Sequence, residues 1–328
     1  MCCLPCTFAW SPLDFLARLF KPTLVPDHEY PASIPPPVHA LKRKRRSCGS
    51  NSSRGYLTTG FGDKFVRDAL NQCRALRRFG DHTCFALVTT ATKIVPGLAH
   101  NCSNLMLLPV KTNSATACKH ERYNVEVMLS LFEITPFRET LFMDSDVLRV
   151  APCDPWKSNL IGYRNQSVAV LGKPQDCSWH WGQICKLEKS TGLTLPHTHA
   201  GMMYVRKDAS SAKFFDHARN ATRLYRSIGF RTFEKKGPGC KALEPHWSYA
   251  FGKMGWIPLD FDHAKQLFGF NIWKPGKPPP PASGSCHAHM FNDRDYDGLY
   301  RWSTVSTRLS MLLSERRAQV GRRRRRSG

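Results

Sequence analysis

The chain has 328 residues, and 41% of them are hydrophobic, which is enough for one large α/β domain or two modest ones with a real core. This composition excludes a disordered protein. The formal net charge of +23 favours anionic partners: nucleic acid, acidic lipid or phosphorylated small molecules. Ten of the positive charges lie in two runs, residues 42–46 and 322–326, so the rest of the chain is basic without them.

Two composition shifts divide the chain into three segments. Prolines and a basic run predict that residues 1–53 form a disordered tail, and an arginine run predicts the same for residues 319–328. Residues 54–318 then form the ordered domain. The basic tails are typical of a solvated patch, and they also allow non-specific binding of polyanions.

The cysteines and the sequons bear on the cellular compartment. Thirteen cysteines lack paired C-x-x-C spacing in the body of the chain, which excludes a zinc finger. Residues 3–20 are apolar but interrupted, and too short for a transmembrane segment, so a cytoplasmic protein is slightly favoured. A Golgi or secretory protein remains open if the N-terminus is incomplete. Only there would the Asn-x-Ser/Thr sequons be meaningful; they start at Asn51, Asn101, Asn165 and Asn220.

The ordered part begins with an alternation of strands and helices. Residues 56–60 read as a strand, and a helical pattern of apolar positions then runs from Phe65 to Leu76 and ends at Gly80. Two further strands follow, at residues 84–89 and 105–109. Strand, helix and strand with short links predict a parallel sheet.

The second half continues this pattern without an internal repeat. A helix from about residue 122 to 131 precedes a short apolar strand, residues 140–143. The further expectations are strands at 168–171 and 202–205 and helices at 210–227, 245–255 and 297–317. The fold expected from these elements is a single α/β domain with a central, mostly parallel sheet flanked by helices.

Two carboxylates, Asp144 and Asp146, directly follow the strand at 140–143. Side chains at i and i+2 of an extended segment point the same way, so both are expected to face one spot at the carboxyl end of the strand. Ligands of open α/β sheets bind at that end. Two convergent carboxylates are costly without a cation, and their hard oxygens suit Mg²⁺ or Mn²⁺. An Asp-x-Asp alone is also typical of loops and helix caps.

The order of four stretches resembles a known family. They are Tyr-Leu-Thr-Thr-Gly-Phe-Gly-Asp-Lys at 56–64, Thr-Leu-Phe-Met-Asp-Ser-Asp at 140–146, His-Ala-Gly-Met-Met-Tyr-Val-Arg at 199–206 and Glu-Pro-His-Trp-Ser-Tyr-Ala at 244–250. Over residues 56–293 the chain is similar to the nucleotide-diphospho-sugar transferases, the glycosyltransferases of the GT-A type and in particular the family-eight-like group.

The resemblance implies an activity and its central residues. The expected activity is a metal-dependent transfer of a hexose from a nucleotide sugar, with a UDP-sugar favoured, to a glycan, a protein or a small molecule. The implied catalytic residues are Asp144, Asp146 and Glu244. The first two are also implied metal ligands, with His287 or His289 after the core as a further ligand. An imidazole ligand favours Mn²⁺ over Mg²⁺.

The resemblance also implies how the donor is bound. The residues that it assigns to the nucleotide, the diphosphate or the sugar are Thr58, Thr59, Gly60, Asp63, Lys119, Arg122, His199 and Gly201. Glycines at 60 and 62 would let the backbone approach the nucleotide. Lys119 and Arg122 are equally typical of solvated charges at a helix start.

Three features need separate interpretations. His199 replaces an amide that is common in the family, and the family's closing His-x-x-Gly-x-x-Lys-Pro-Trp phrase has only a partial echo at residues 271–275. Trp179, His180 and Trp181 could stack on an acceptor sugar, although aromatic clusters are also typical of a core.

Two other function classes compete with the glycosyltransferase. A nucleotidyltransferase could use the same sheet and metal, but its Gly-rich, Lys-containing loop is poorly matched by residues 60–64. A basic nucleic-acid-associated binding protein would need basic residues interleaved with aromatic ones on one face. The longest basic runs lie in the predicted tails instead.

Overall fold

The described part of the chain folds into a central sheet with helices on both faces, as seen in a computed structural model. The structure describes residues 48, 53–91, 101–110, 125–152, 154–156, 166–173, 179–227, 243–260, 270–273 and 287–290. All of these belong to one unit, Ser33–Gly328. The predicted tails at 1–53 and 319–328 lie outside the described residues, except for Cys48 and Ser53.

Ten strands are described, and seven of them form the main sheet. Their bounds are β1 (Arg54–Thr59), β2 (Cys84–Thr89), β3 (Leu105–Pro109), β4 (Glu139–Met143), β5 (Val147–Arg149), β6 (Val168–Lys173), β7 (His197–Arg206), β8 (Leu259–Asp260), β9 (Phe270–Trp273) and β10 (His287–Met290).

The main sheet has the strand order β3-β2-β1-β4-β7-β6-β8. The pairs β1–β2, β2–β3, β1–β4 and β6–β8 are parallel, whereas β7 runs antiparallel to both β4 and β6. The prediction of a central, mostly parallel sheet is therefore confirmed. All six residues of β2 are buried, as expected for a parallel strand covered by helices on both faces.

Six helices are described, and five of them cover the two faces of this sheet. The six helices are α1 (Asp63–Arg78), α2 (Val125–Met128), α3 (Leu131–Ile134), α4 (Trp179–Thr191), α5 (Ala209–Ser227) and α6 (Glu244–Met254). Along β1, Tyr56 belongs to the core on the α1 face and Leu57 to the core on the face of α2, α3, α5 and α6. This alternation places two hydrophobic layers on one sheet.

Helix α1 is specified by its ends as well as by its apolar stripe. Asp63 lies in its first turn and Arg77 and Arg78 in its last, which matches the helix dipole. Gly80 follows at φ 76°, and the Asp81 amide donates to the Leu76 carbonyl while the Gly80 amide donates to Arg77. This is a Schellman motif, and it fixes the position of Asp81.

The helix expected at residues 122–131 differs from the structure. Over the described residues 125–134 the chain forms two four-residue helices, α2 and α3, that are separated at Leu129 and Ser130. The Ser130 hydroxyl donates to the Glu126 carbonyl at 2.7 Å, and the Ser130 amide donates to Val127. A serine that bonds back to the preceding turn competes with a continuous helix, so the predicted single helix is wrong.

A second, three-stranded sheet has the order β5-β10-β9. Strand β10 pairs antiparallel with β5, with His289 opposite Val147 and His287 opposite Arg149. This sheet was not predicted, because its strands have only three or four residues each. It brings residues near 288 next to the segment that follows the two carboxylates.

Two disulfide bonds tie described segments together. Cys48 is bonded to Cys84 at the start of β2, and Cys73 on α1 is bonded to Cys102 before β3. Cys48 is only 3% exposed, so this residue of the predicted N-terminal tail is anchored to the core. Among the described helices, none combines the length and the apolar composition that crossing a bilayer requires.

Candidate active site

The candidate site lies at the carboxyl ends of β1 and β4, which are neighbours in the sheet. From β1 the chain first builds outward through β2 and β3, and it then returns to place β4 on the other side of β1. This reversal of strand order leaves a crevice outside the carboxyl ends of the two strands, where open α/β sheets bind ligands. Thr58, Thr59 and Gly60 lie at one side of this point, and Asp144 and Asp146 at the other.

The segment with the two carboxylates is a turn. Asp144 is 6% exposed and Asp146 is 4% exposed, and both follow the end of β4 at Met143. The Val147 amide donates to the Asp144 carbonyl at 2.9 Å, which closes a four-residue turn. The extended geometry expected for residues 144–146 is therefore wrong, and the common direction inferred from it does not follow. The expected place of the carboxylates, at the end of a buried strand, is confirmed.

Gln72 on α1 binds the backbone of this turn. The sequence analysis did not identify Gln72 as a site residue. Its side chain is fully buried, and its amide nitrogen donates to the Asp144 carbonyl at 2.9 Å and to the Val147 carbonyl at 2.5 Å. One amide thus binds both ends of the turn. The only sequence signal was a polar residue at a buried position of the apolar stripe of α1.

Strand β7 supports the turn from the neighbouring side. The Asp144 amide donates to the Gly201 carbonyl at 2.9 Å, which extends the ladder one residue beyond β4. Towards β6 the pairing jumps from Val170–Met203 to Leu171–His199, so β7 carries extra residues between His199 and Met203. Such irregularities are common beside active sites, where they re-aim side chains. The structure thus brings His199 and Gly201 to the site.

The imidazole of His199 has a defined local partner. It is 9% exposed, and its Nδ1 accepts a hydrogen bond from the Gly201 amide at 3.1 Å. A nitrogen that accepts must carry a lone pair, so a neutral His199 has its proton on Nε2. The departure from the family's amide at this position therefore leaves a residue that can still donate.

Glu244 is joined to the same edge through β7. It opens α6, and its carbonyl accepts a hydrogen bond from the Thr198 hydroxyl at 2.8 Å. The same hydroxyl lies 3.1 Å from the Ser248 hydroxyl. Thr198 neighbours His199, so this contact brings the start of α6 to the predicted sugar side of the site. The Glu244 side chain is half-buried.

The residues predicted to bind the nucleotide are only partly as expected. Thr58 is fully buried and Thr59 is 5% exposed, whereas Asp63 is exposed at the start of α1. A Cβ at Gly60 would lie 3.0 Å from the Phe65 carbonyl oxygen and 3.1 Å from the Val66 Cα. The close approach of α1 therefore favours glycine at position 60, and this contact accounts for Gly60 without a nucleotide. Gly62 has φ 84°, which serves the turn into the helix.

A buried charge network holds the strand after the turn. Arg149 on β5 has a fully buried side chain, and it donates to the Tyr56 hydroxyl at 3.0 Å and to the Asp81 carboxylate at 3.1 Å. Tyr56 itself donates to Asp81 at 2.5 Å. Because burial disfavours the charged form, the pKa of Tyr56 is raised above its usual range.

The same network keeps Asp81 ionised. Burial opposes its charge, but hydrogen bonds from Tyr56 and from Thr83 and the positive charge of Arg149 together lower the pKa of Asp81 below its usual value. Asp81 is positioned by the Schellman motif of α1, so this helix supports the carboxylate turn through Gln72 and the following strand through Asp81.

The structure describes some of the other predicted site residues only in part and some not at all. Lys119 and Arg122 lie outside the described residues. Trp179, His180 and Trp181 open α4, and their side chains are not among those described, so the predicted acceptor stacking stays a prediction. His287 is fully buried on β10. For His289 only the backbone pairing with Val147 is described.

No family model matches this chain, and no curated protein sequence matches it. The apo structure of the bifunctional glycosyltransferase WbbM has a TM-score of 0.48 and 11% identity, over 80% of this chain and 51% of WbbM. The chain thus spans about half the length of WbbM.

Two further solved structures are of comparable similarity. The galactosyltransferase LgtC in complex with donor and acceptor sugar analogues has a TM-score of 0.46 and 12% identity, over 77% of this chain and 95% of LgtC. Mouse xyloside xylosyltransferase 1 in its apo form has a TM-score of 0.48 and 8% identity, over 74% of this chain and 98% of that protein. All three belong to the predicted class. Similarity at this level concerns the backbone fold.

The donor set suits a hard divalent cation. Among the described residues, no three His, Cys, Asp or Glu side chains form a group that could hold a metal. Two buried carboxylates nevertheless meet the need of Mg²⁺ or Mn²⁺, which use one or two carboxylates together with substrate phosphates. The two carboxylates therefore fit a metal whose coordination is completed by its substrate.

Proposed function

We propose that the chain is a metal-dependent glycosyltransferase that transfers a hexose from a nucleotide sugar, a UDP-sugar by preference, to a glycan, a protein or a small molecule. One observation carries this proposal: two buried carboxylates occupy a tightly held turn at the carboxyl end of β4, at the point where the strand order reverses. That place in an α/β sheet is suited to a nucleotide, and the carboxylates suit its metal.

The chemistry follows from the leaving group. A sugar nucleotide departs as a nucleoside diphosphate, so negative charge develops on the β-phosphate and needs stabilisation. A bound Mn²⁺ would supply this charge stabilisation. Asp144 and Asp146 would hold the ion together with His287 or His289. The carboxylates are fixed before substrate arrives, because Gln72 and Gly201 bind the backbone of their turn.

Other residues of the site would bind the two ends of the donor. The carboxyl end of β1, with Thr58 and Thr59, would lie beside the nucleoside, and His199 on β7 would lie beside the sugar. Glu244 is proposed as a catalytic residue, because the Thr198 contact brings the start of α6 to the sugar side. Lys119 and Arg122 are proposed to bind the diphosphate on the family resemblance alone.

The test is a donor screen. The purified full chain is incubated with a panel of nucleotide sugars and Mn²⁺, and released nucleoside diphosphate is measured, since donor hydrolysis can report activity without the acceptor. We expect release from one UDP-sugar above the others and none after chelation of the metal. The Asp144→Asn protein serves as the matched control for contaminating hydrolases.

A parallel assay for pyrophosphate release, run beside the donor screen, separates the competing functions. A nucleotidyltransferase would release pyrophosphate from a nucleoside triphosphate with a sugar phosphate, and it would leave nucleotide sugars intact in the absence of pyrophosphate. A nucleic-acid-binding protein would do neither. Pyrophosphate release without hydrolysis of any nucleotide sugar would overturn the proposal in favour of nucleotidyl transfer.

A further inference from the structure

The cysteines of this chain are paired wherever the structure describes them. All five described cysteines are disulfide-bonded: Cys48 with Cys84, Cys73 with Cys102, and Cys185. The Cα–Cα distances of the first two pairs are 5.8 and 5.6 Å, within the range that a disulfide requires. Since cytosolic thiols are kept reduced, such pairing is typical of proteins that fold in an oxidising compartment.

One cysteine of the second disulfide, Cys102, is the middle residue of a sequon. Asn101, Cys102 and Ser103 form an Asn-x-Ser sequon in the turn before β3. Cys102 is 7% exposed and reaches inward to Cys73 on α1, whereas Asn101 and Ser103 are both exposed. The middle residue thus anchors the turn while the acceptor and the hydroxyl residue face solvent.

The backbone at Asn101 is consistent with an outward acceptor. Its φ is 62°, a left-handed conformation that asparagine tolerates better than most residues. The turn is also held by Arg77, whose Nε donates to the Ser103 carbonyl at 2.8 Å. A bulky, hydrophilic glycan requires such an exposed surface turn.

We propose that this chain folds in the oxidising lumen of a secretory compartment, where Asn101 carries an N-linked glycan. The cysteine pairs and the exposed sequon contain none of the residues of the candidate active site, so the glycan and the disulfides can be tested independently of glycosyl transfer. The disulfides and the exposed sequon favour the secretory alternative over the cytoplasm, which the interrupted apolar stretch at residues 3–20 slightly favoured.

The direct test uses the protein from its own cells. The chain is alkylated during lysis, digested without reduction and treated with a peptide N-glycosidase in heavy-oxygen water. Mass spectrometry should find the Cys73 and Cys102 peptides linked, and Asn101 converted to isotope-labelled aspartate. Free, alkylated Cys73 and Cys102 together with an unmodified Asn101 would overturn the proposal.

Two variants identify the modified residue. The full chain is delivered to the lumen of eukaryotic cells by a cleavable leader, as wild type, as Ser103→Ala and as Ser103→Thr. Wild type and Ser103→Thr keep the sequon and should carry one glycan more than Ser103→Ala. Equal mobility of the three untreated proteins would contradict modification at Asn101.

A stability measurement tests the compartment without reference to the glycan. Disulfides stabilise mainly by constraining the unfolded chain, more so for long loops. Reduction of the glycosidase-treated protein should therefore lower its melting temperature by at least about 5 °C. An unchanged melting temperature after complete reduction would show that folding does not depend on an oxidising environment, and it would contradict the proposal.

Discussion

The side-chain amide of Gln72 holds the turn that carries the two carboxylates of the candidate site. It donates two hydrogen bonds, to carbonyls three residues apart that begin and end the turn with Asp144 and Asp146. The backbone of the turn is also held by two further bonds, from the Asp144 amide to the Gly201 carbonyl and from the Val147 amide to the Asp144 carbonyl. The position of the two carboxylates thus depends on a side chain of a neighbouring helix.

Replacing this amide is expected to impair catalysis more than its effect on folding would explain. Gln72→Leu keeps the approximate volume but removes both donors. The Asp144 carbonyl keeps the Val147 amide as a partner, so each lost bond costs up to about 1–3 kcal/mol. Since supporting partners of metal ligands typically matter by about 10–100-fold, we expect the Mn²⁺ concentration for half-maximal donor hydrolysis to rise by about tenfold or more.

The control for this variant is its neighbour on the same helix. Asn71 is also buried and accepts a hydrogen bond from Arg74 within α1. Asn71→Ala should lower the melting temperature without changing the Mn²⁺ dependence. An equal shift of the Mn²⁺ dependence in both variants would show that Gln72 acts only through the stability of α1.

A second prediction concerns the Asp81–Arg149 pair and pH. Because the pKa of Asp81 is lowered in the folded protein, its ionisation stabilises the fold at pH above the unfolded pKa, and this contribution is lost as the pH falls through the folded pKa. Asp81→Asn leaves the Arg149 side chain buried without its partner charge, which should cost about 3–5 kcal/mol at neutral pH. The acid dependence of stability should also become weaker.

An exposed ion pair provides the comparison for Asp81. Asp216 contacts Arg219 on α5, but its side chain is 63% exposed. Asp216→Asn should therefore cost only about 0–1 kcal/mol. Urea unfolding of both variants between acidic and neutral pH measures the difference, and equal losses at neutral pH would contradict the assigned role of Asp81.

At the scale of the elements, the register of β10 separates two histidines that the sequence could not. His289 lies opposite Val147, the residue after Asp146, whereas His287 lies opposite Arg149, two residues further away. We therefore propose His289, whose backbone pairs closer to Asp146, as the additional metal ligand, and we propose a structural role for the fully buried His287.

This assignment predicts different effects of two alanine variants. His289→Ala should raise the Mn²⁺ requirement of donor hydrolysis by about tenfold or more and leave the metal-free melting temperature nearly unchanged. His287→Ala should lower that melting temperature, because a buried side chain is lost. Titration of both variants with Mn²⁺ checks this, and an unchanged Mn²⁺ requirement of His289→Ala would remove it from the metal site.

The longer elements were predictable because their patterns are local. The bounds of β2 and β3 match the prediction, since short apolar runs between turn residues define such strands. Helix α1 followed from its apolar stripe. Strands β5, β8, β9 and β10 have only two to four residues, too few for a periodic signal, and they exist because of their pairing partners. Helix α4 was not predicted either, because its apolar pattern is weak. It contains Gly182 in its first half, and Ile184 and Leu187 are the buried apolar residues described in the rest of the helix.

The candidate site was predictable only as a set of positions. The family resemblance and the Asp-x-Asp phrase indicated Asp144, Asp146, His199 and Gly201, and the sheet brings these segments together. The turn at Asp144 could not be predicted, because it depends on Gln72, which is 72 residues away in sequence. Likewise the role of Gly60 is set by the approach of α1, which is a property of the packed fold.

For the whole molecule, the net charge and the disulfides lead to a prediction about the tails. A chain of residues 47–318 lacks both basic runs but keeps Cys48. It should lose most of its affinity for polyanions, because ten of the charges are gone, and it should keep the melting temperature of the full chain. Elution from immobilised heparin and thermal unfolding measure the two properties.

A slightly shorter chain provides the control. Residues 54–318 lack Cys48 and therefore the bond to Cys84, so this protein should melt at least about 5 °C lower than residues 47–318 in its oxidised form. If residues 47–318 already aggregate or melt far below the full chain, then the removed segments pack on the domain, and the division into tails and domain is wrong.

The most direct measurement of the proposed function is a comparison of Asp144→Asn and Asp146→Asn with the wild-type chain, with and without Mn²⁺. Each substitution nearly preserves shape while halving the negative charge of the proposed metal site. We predict nearly wild-type melting without metal, no stabilisation by Mn²⁺ in either variant, and donor turnover reduced by at least about a hundredfold, since metal stabilisation of a leaving group amounts to several kcal/mol. If either variant keeps wild-type turnover, or if the wild-type chain is equally active in the presence of a chelator, then Asp144 and Asp146 are structural residues and the metal-dependent mechanism is contradicted.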